Sequence, residues 1–440
     1  MKQLQEITLD EQGSVLITVL IIALIVTLFI GTVLGGIYVQ STFIQQDIDR
    51  TKALYQAEQQ IYEFLYSGQE PDSTGAITST NYGGFLKISS STQVKKQKVE
   101  LEVLAGALPD SVFDYAIALK DTNSSLSVTG STTINGDIAS GSNQIERSTF
   151  KGFPFRGSFT GEAKKKNMRD FFPAFQYESL EAQLDKHTSF FESESKSQFA
   201  VRDINELAQS QEGDTLYFSG SQEWSVNQTT TFPKDIVVSV EGNLTITGDG
   251  NLGTYTTFIA KDTLSIGGSV TATHVILSAG TFMELRDQVS MNAQLISKGR
   301  IQLRDQVYLT YPSMVYTSTT TFLGEQQEVI HLQDESTVDG TLVYPIETGT
   351  FNQEQFRIKI DENAVVRGSI YNQGQTELAG TVYGSVLTKQ FYFYESPTIY
   401  INWLKDAEID ISQRPQDFIV PIGFSDSTKY AILDWKEVSE

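Results

Sequence analysis

The pattern of apolar and polar positions changes twice along the chain. From Val15 to Val39 there are 25 residues without a charge, of which 19 are apolar and six are Thr or Gly. As a helix this stretch rises about 38 Å, which is enough to cross a bilayer. It is followed by apolar residues at helical spacing among polar ones, at positions 54, 57, 61, 64 and 65. Because the next helix breakers are Gly68 and Pro71, the pattern predicts one helix from Ser14 to Tyr66.

A second pattern, of short strands separated by turn residues, occupies most of the remaining chain. Two alternating runs, at residues 84–88 and 99–104, predict a β-hairpin. Farther on, the sequence RDQV at Arg286 recurs 18 residues later at Arg304, and glycine corners precede apolar residues at Gly340, Gly368 and Gly380. A repeat of this length is typical of one coil of a parallel β-helix, whereas a propeller blade needs about 40 residues. A β-sandwich is the alternative architecture.

Together these patterns predict a mainly β protein. A long N-terminal transmembrane and amphipathic α-helix is followed by a parallel β-helix, or solenoid, with a partly helical insert. In the insert, Phe175, Leu180, Leu184 and Phe190 are spaced as on a helix. The predicted segments are a leader at 1–13, the helix at 14–67, a β-hairpin linker region at 68–108, a first part of the β-helix at 109–147, the insert at 148–213, the main β-helix at 214–397 and a C-terminal cap at 398–440.

Composition narrows the function classes. The net charge is −22, so an acidic surface would repel phosphate backbones and we expect no nucleic-acid partner. There is no cysteine, which excludes disulfides, thiol nucleophiles and Cys-based zinc sites. One basic island, GEAKKKNMRD at residues 161–170, indicates either a solvated loop or a contact with an acidic neighbouring subunit. The lysines Lys95, Lys96 and Lys98 indicate a solvated turn, with lipid head groups as a weaker alternative.

The sequence offers few catalytic or metal-binding candidates. The tripeptide Arg357-Ile358-Lys359 matches one found in polygalacturonases, but no Asp-Asp pair accompanies it anywhere in the chain. We therefore interpret Arg357 and Lys359 as outward residues of a strand whose Phe356, Ile358 and Ile360 point inward, and we predict no catalytic residue.

For metals, His187, His274 and His331 lack a histidine partner at i+4, and His274 is predicted to lie in a strand. The run Asp121 to Ser125 supplies oxygen ligands without the glycine and distal glutamate of an EF-hand, so it predicts a tight turn. We expect no metal and no cofactor. The repeated pairs Arg286/Arg304 and Asp287/Asp305 predict a charge ladder along one face of the solenoid.

The N-terminus resembles a known family. A leader that ends in Gly13, a membrane helix that begins at Ser14, and the stretch A-L-Y-Q-A-E at residues 53–58 resemble the class III signal of type IV prepilins, in particular the PilX-like minor pilins. This resemblance implies cleavage between Gly13 and Ser14 by a prepilin peptidase. Thr18 is the fifth mature residue, the filament-helix docking position at which major pilins carry Glu. The β-region, at FDYAI and GTVYGSV, is similar to β-helical domains attached to PilX-like N-termini.

The resemblance implies a membrane-anchored structural subunit without enzymatic activity, a minor pilin or pseudopilin of a type IV pilus or a type II secretion-like filament. A tip position and a role in adhesion are further expectations. The expected partners are the prepilin peptidase, other pilin or pseudopilin subunits and membrane lipid. The expected location is the cytoplasmic membrane, with one pass and the large domain outside the cytoplasm. The alternatives are an ordinary uncleaved anchor, a surface-anchored carbohydrate-active enzyme and a bactofilin-like polymerising scaffold.

Overall fold

A computed structural model describes residues 3–67, 76–121, 125–142, 144–152, 154–178, 180–182, 185, 189, 200–201, 210–320, 327–347, 356–424 and 429–438. The chain divides into two compact units. The first contains residues 1–78, 88–102 and 435–440, and the second contains residues 79–87 and 103–434.

The first unit is built on one uninterrupted α-helix, Gln3–Ser67. The helix is therefore continuous through the predicted leader and membrane segment. Its last four turns bury one face, formed by Ala53, Ala57, Ile61, Phe64 and Leu65, whereas the predicted position Leu54 is half-buried. Strand residues Ile88, Val99 and Leu101 of the same unit are also buried. The amphipathic pattern thus predicted the buried face to within one residue.

The predicted hairpin is part of a larger sheet. Its two strands are Phe85–Val94 and Gln97–Ala107, both longer than the alternating runs in the sequence. The sheet has four strands, in the order Ala76–Tyr82, Phe85–Val94, Gln97–Ala107 and Tyr430–Val438. The C-terminal strand joins this sheet from the far end of the sequence, which the local pattern did not predict.

The second unit is a parallel β-helix with three faces. Face 1 contains the short strands Ile117–Leu119, Ile138–Ser140, Ala163–Lys165, Ala200–Val201, Thr215–Phe218, Val237–Val240 and Thr257–Ala260. It also contains the second halves of the longer strands Thr271–Ala279, Ser290–Ser297, Tyr308–Thr317 and Thr337–Tyr344. The middle parts of Val365–Leu378 and Thr381–Glu395 complete this face. Face 2 contains Leu126–Thr129, Ile145–Arg147, Gln222–Val226, Leu244–Gly248, Thr263–Gly268, Phe282–Leu285, Arg300–Leu303, Glu328–Leu332, Arg357–Ile360 and Trp403–Lys405. Face 3 contains Thr133–Asn135, Ser158–Thr160, Asn251–Thr254 and Glu408–Asp410 together with the first parts of the long strands. Short helices lie at Ser111–Asp114, Met168–Phe171, Ile411–Gln413 and Ile422–Phe424, and Thr398–Ile401 pairs antiparallel with the end of Thr381–Glu395.

These observations confirm the predicted fold class: mainly β, with a long N-terminal helix, a parallel β-helix and a partly helical insert. The repeat that carried the prediction is in register, since Leu285 pairs with Leu303 and Ser290 with Tyr308. The inward residues along the stack, mostly Ile, Leu and Val, form a single continuous core.

The order of coils along the solenoid axis differs from the order in the sequence. Val386 of the main β-helix pairs with Ile117 of the first part, and Trp403 pairs with Ser127. The first part therefore stacks beyond the last coil of the main part. The tail, which we expected to form a cap, instead supplies residues 403–405 and 408–410 to a coil inside the stack.

This order requires the chain to return along the solenoid, and the insert makes that return. It leaves the final coil after Lys165 and runs over the outer surface of face 1, where the Phe172 ring lies 5.4 Å from Tyr371 and the Phe175 ring lies 5.9 Å from Tyr316. It reaches the opposite end at Ala200–Val201, which pairs with residues 217–218. The insert is helical at Met168–Phe171 and in part of 178–185.

Candidate functional surfaces

The most prominent surface is the first half of the long helix. Every side chain from Val15 to Ile48 is exposed, and the helix is long and apolar enough to cross a membrane, with a mean hydropathy of 2.9 over its most apolar window. Eighteen of the side chains between Val15 and Val39 are large and apolar. At about 1.5 to 3 kcal/mol for each one, leaving them in water costs on the order of 30 kcal/mol or more. This surface therefore requires lipid or other apolar helices around it.

The predicted processing and docking residues lie in this helix. Gly13 and Ser14 both lie within the helix, a few turns after its first residue, Gln3. Thr18 lies one turn farther on, and its side chain is exposed.

An exposed apolar stripe continues beyond the membrane-length segment. Ile44, Ile48, Tyr55 and Tyr62 are spaced by four or seven residues and remain exposed, Tyr55 at 65% and Tyr62 at 57%. Residues at such spacings share one helix face. Tyr62 lies 23 residues beyond Val39, a rise of about 35 Å, so lipid around Val15–Val39 does not reach it.

The opposite face of the same helix segment is held by polar contacts within the first unit. Lys95 Nζ lies 2.8 Å from the Asp49 carboxylate, Thr92 donates to the carbonyl of Ala53 at 2.6 Å, and Ser90 donates to Gln60 at 2.8 Å. The hydrogen bond from Lys95 lowers the pKa of Asp49 below its ordinary value. The lysine turn is exposed, as predicted, and Lys95 also anchors it to the helix.

The predicted charge ladder is present on the solenoid. Arg304 bridges to Glu284 at 3.0 Å and to Asp305 at 2.7 Å, and Arg286 contacts Asp287 at 2.5 Å. Beside it, an amide ladder runs from Gln288 to Gln306 at 3.3 Å and on to Glu335 at 2.9 Å. An open groove of about 670 Å³ follows this turn and is lined by Asp287, Gln288, Asp305, Gln306, Asp334, Glu335 and Asn363.

The structure gives Arg357 and Lys359 an environment that the sequence did not indicate. Ile358 and Ile360 are in the core, which confirms the predicted inward positions, but Arg357 is only 9% exposed. Its guanidinium lies 3.2 Å from Glu328 and 3.6 Å from Glu377, and 4.2 Å from the centre of the Tyr392 ring.

A second pair, His331 and Asp361, lies beside Arg357 and its partners. His331 lies 3.0 Å from Asp361, and burial raises the pKa of Glu377 above its ordinary value. Glu328 and Arg357 are 29 residues apart in the sequence, and His331 and Asp361 are 30 apart. No local sequence pattern therefore indicates either pair. Arg357 thus lies between two carboxylates, as expected for a structural ion-pair network.

The remaining metal candidates have ordinary hydrogen-bond partners. His274 lies in strand Thr271–Ala279, as predicted, and its ring nitrogens are 2.9 Å from Asn292 and 3.2 Å from Asp434. The Asp121 carboxylate accepts hydrogen bonds from Gln390 and Asn402. Residues 122–124 and His187 lie outside the described residues. Within the described ranges, no group of three or more His, Asp or Glu side chains is arranged to hold a metal ion.

Comparison with known proteins adds no functional assignment: no family model, no curated protein and no solved structure matches this chain.

Proposed function

We infer that this protein is a membrane-anchored structural subunit of a cell-envelope filament, a minor pilin or pseudopilin whose leader is removed after Gly13. The observation that carries the proposal is the exposed helix. Its first part, Val15–Val39, has the length and composition of a membrane span, and its second part keeps an apolar stripe exposed where lipid does not reach.

The stripe distinguishes a filament subunit from a simple anchor. An anchor needs apolar residues only across the hydrocarbon core of the bilayer. A subunit that leaves the membrane must bury the same helix against neighbouring helices along its whole length. Exposed Ile48 and Tyr55 provide such a surface in water, and the exposed part of Tyr62 extends it beside the Trp435 ring, 5.7 Å away. The opposite face is already occupied by the strands of the first unit.

The remaining parts of the proposal follow from this role. The partners are the prepilin peptidase, which removes the leader, and other pilin or pseudopilin subunits, which pack against the helix from Ser14 to Tyr66. The acidic second unit faces outward from the cytoplasmic membrane, where its share of the chain's net charge of −22 keeps it solvated. The chain has no assigned catalytic residue in this role.

The test is the N-terminal sequence and mass of the protein from native membranes. We expect a chain that begins at Ser14. A Gly13→Leu variant should retain Met1, whereas the matched Gly31→Leu variant should be processed normally, because Gly31 is in the same helix and has open space around its Cβ position. A wild-type chain that still begins at Met1 in cells with an active prepilin peptidase would contradict the proposal.

A further inference from the structure

The two ends of the β-helix carry opposite charge. The final coils and the residues that leave them, 144–170, contain seven basic side chains and three acidic ones, a net charge of +4. The basic residues are Arg147, Lys151, Arg156, Lys164, Lys165, Lys166 and Arg169. We call this segment the basic end. It contains the basic island that the sequence left as either a loop or a contact with an acidic neighbour.

At the other end of the stack, residues 210–249 form the first coils, which we call the acidic end. They contain six acidic side chains and one lysine, a net charge of −5. The acidic residues are Glu212, Asp214, Glu223, Asp235, Glu241 and Asp249. In a chain of 440 residues with a net charge of −22, the acidic end is more negative than an average segment of its length, and the basic end has the opposite sign.

Both ends present strand edges. In the described part of the chain, Ile145–Arg147, Ser158–Thr160 and Ala163–Lys165 each pair with a strand on one side only. At the acidic end, Gln222–Val226 likewise pairs on one side, while Thr215–Phe218 is covered by the two residues Ala200–Val201. An exposed edge is a template for pairing with another chain.

Two of the basic residues at this end are available for a partner. Arg156 and Lys165 are exposed, and neither has an ion-pair partner among the described residues. At the acidic end Glu223 is exposed on the edge strand Gln222–Val226. Lys164 is instead held 2.5 Å from Asp137, which keeps the last strand in place.

We propose that the basic end of one copy docks on the acidic end of a second copy, so that the solenoids stack head to tail. All coils run parallel, and a second copy continues the parallel stack only when unlike ends meet. Contact between two basic ends would bring together net charges of +4 and +4, and contact between two acidic ends would bring together −5 and −5. Both contacts are disfavoured because like charges repel. Because the contact is heterologous, it does not close on itself and continues into a linear assembly. The proposal concerns the second unit and does not rest on cleavage of the leader.

The test measures association of the full-length chain with each copy held in its own lipid nanodisc, so that lipid covers Val15–Val39. One variant, Arg156→Glu with Lys165→Glu, lowers the net charge of the basic end from +4 to 0. A second, Glu212→Lys with Glu223→Lys, changes the net charge of the acidic end from −5 to −1. The matched control, Glu335→Lys with Glu362→Lys, changes two acidic residues on the side of the solenoid. Association is followed by sedimentation velocity over a concentration series.

We expect the wild type to self-associate and to dissociate as salt rises from about 0.1 M to about 1 M, which shortens the Debye length from about 10 Å to about 3 Å. Each end variant alone should associate at least about tenfold more weakly, since one of its two ends has then lost most or all of its net charge. An equimolar mixture of the two variants should recover pairwise association, because the unchanged acidic end of the first variant meets the unchanged basic end of the second. The control should match the wild type.

The mixture also shows that the variants are folded. A wild type that stays monomeric at about 0.1 M salt would overturn the proposal. So would end variants that associate as strongly as the control, or a mixture that stays dissociated. Association through the N-terminal helix is the same in all variants and in the control. It therefore cannot produce the expected difference between the end variants and the control.

Discussion

Replacing Gly368 by alanine should destabilise the solenoid locally, because a glycine column lies at one of its corners. Gly340, Gly368 and Gly384 are paired in register, with φ values of +154°, +145° and +151°. A Cβ on Gly368 would lie 2.1 Å from the carbonyl oxygen of Gly340. The backbone of the neighbouring coil must therefore move.

The cost has two parts. A side chain at this φ costs about 1 to 3 kcal/mol. Displacing the carbonyl of Gly340 weakens a hydrogen bond between coils by a further 0.5 to 1.5 kcal/mol, approximately. The sum is about 3 kcal/mol. Gly220→Ala is the matched control, since Gly220 has a φ of +70° but no atom within 4 Å of its Cβ position. That variant has only the backbone cost, about 1 kcal/mol.

Hydrogen exchange of the full-length protein in detergent is the appropriate measurement, since coils of a solenoid open locally. In Gly368→Ala, the amides of residues 365–371 should exchange about a hundredfold faster, and those of residues 222–226 should be unchanged. In the control, amides near Gly220 should change by about tenfold or less. Equal effects of the two substitutions at their own sites would refute the close approach of the Gly340 carbonyl as the cause.

Two further predictions concern other contacts. Phe175→Ala removes a buried ring that lies 5.9 Å from the Tyr316 ring and 4.8 Å from the Phe424 ring. The loss of packing should cost about 3 kcal/mol, and proteases should therefore cleave the insert faster. An unchanged cleavage rate would contradict the described path of the insert. The Asp49 to Lys95 contact should be sensitive to acid. Because Lys95 lowers the pKa of Asp49 below 3.8, the stabilisation is complete above that value and is lost as the pH falls through the lowered pKa. Acid titration of exchange in residues 88–102 should show this loss in the wild type and not in Asp49→Asn, and identical titrations would contradict it.

Much of the local structure was encoded in the sequence. The apolar run at Val15–Val39 and the helical spacing that follows it require one helix, because a single turn places residues three and four apart on one face. The alternation at Phe356, Ile358 and Ile360 fixed which side of a strand faces the core, because side chains alternate along any strand. The 18-residue repeat predicted a coil, since in-register stacking requires similar residues at equal spacing.

The candidate surfaces were predicted less completely. The charge ladder at Arg286 and Arg304 could be predicted because its residues recur within one repeat. The cluster around Arg357 could not, because Glu328 and Glu377 come from coils whose lengths differ from that repeat. The apolar stripe at Tyr55 and Tyr62 was not predicted from the sequence, because which face of the helix the strands cover was decided by packing in the first unit.

The sequence by itself determined the elements, the inward residues and the acidic charge, because these depend on local periodicity and composition. Only the tertiary structure decided the order in which the coils stack. Parallel strands pair through backbone groups that are the same at every residue, so Val386 carries no local mark of its pairing with Ile117, 269 residues earlier. That choice places the basic island at one end of the solenoid and the acidic coils at the other, which is why the opposite charge of the two ends emerges from the fold and not from the sequence.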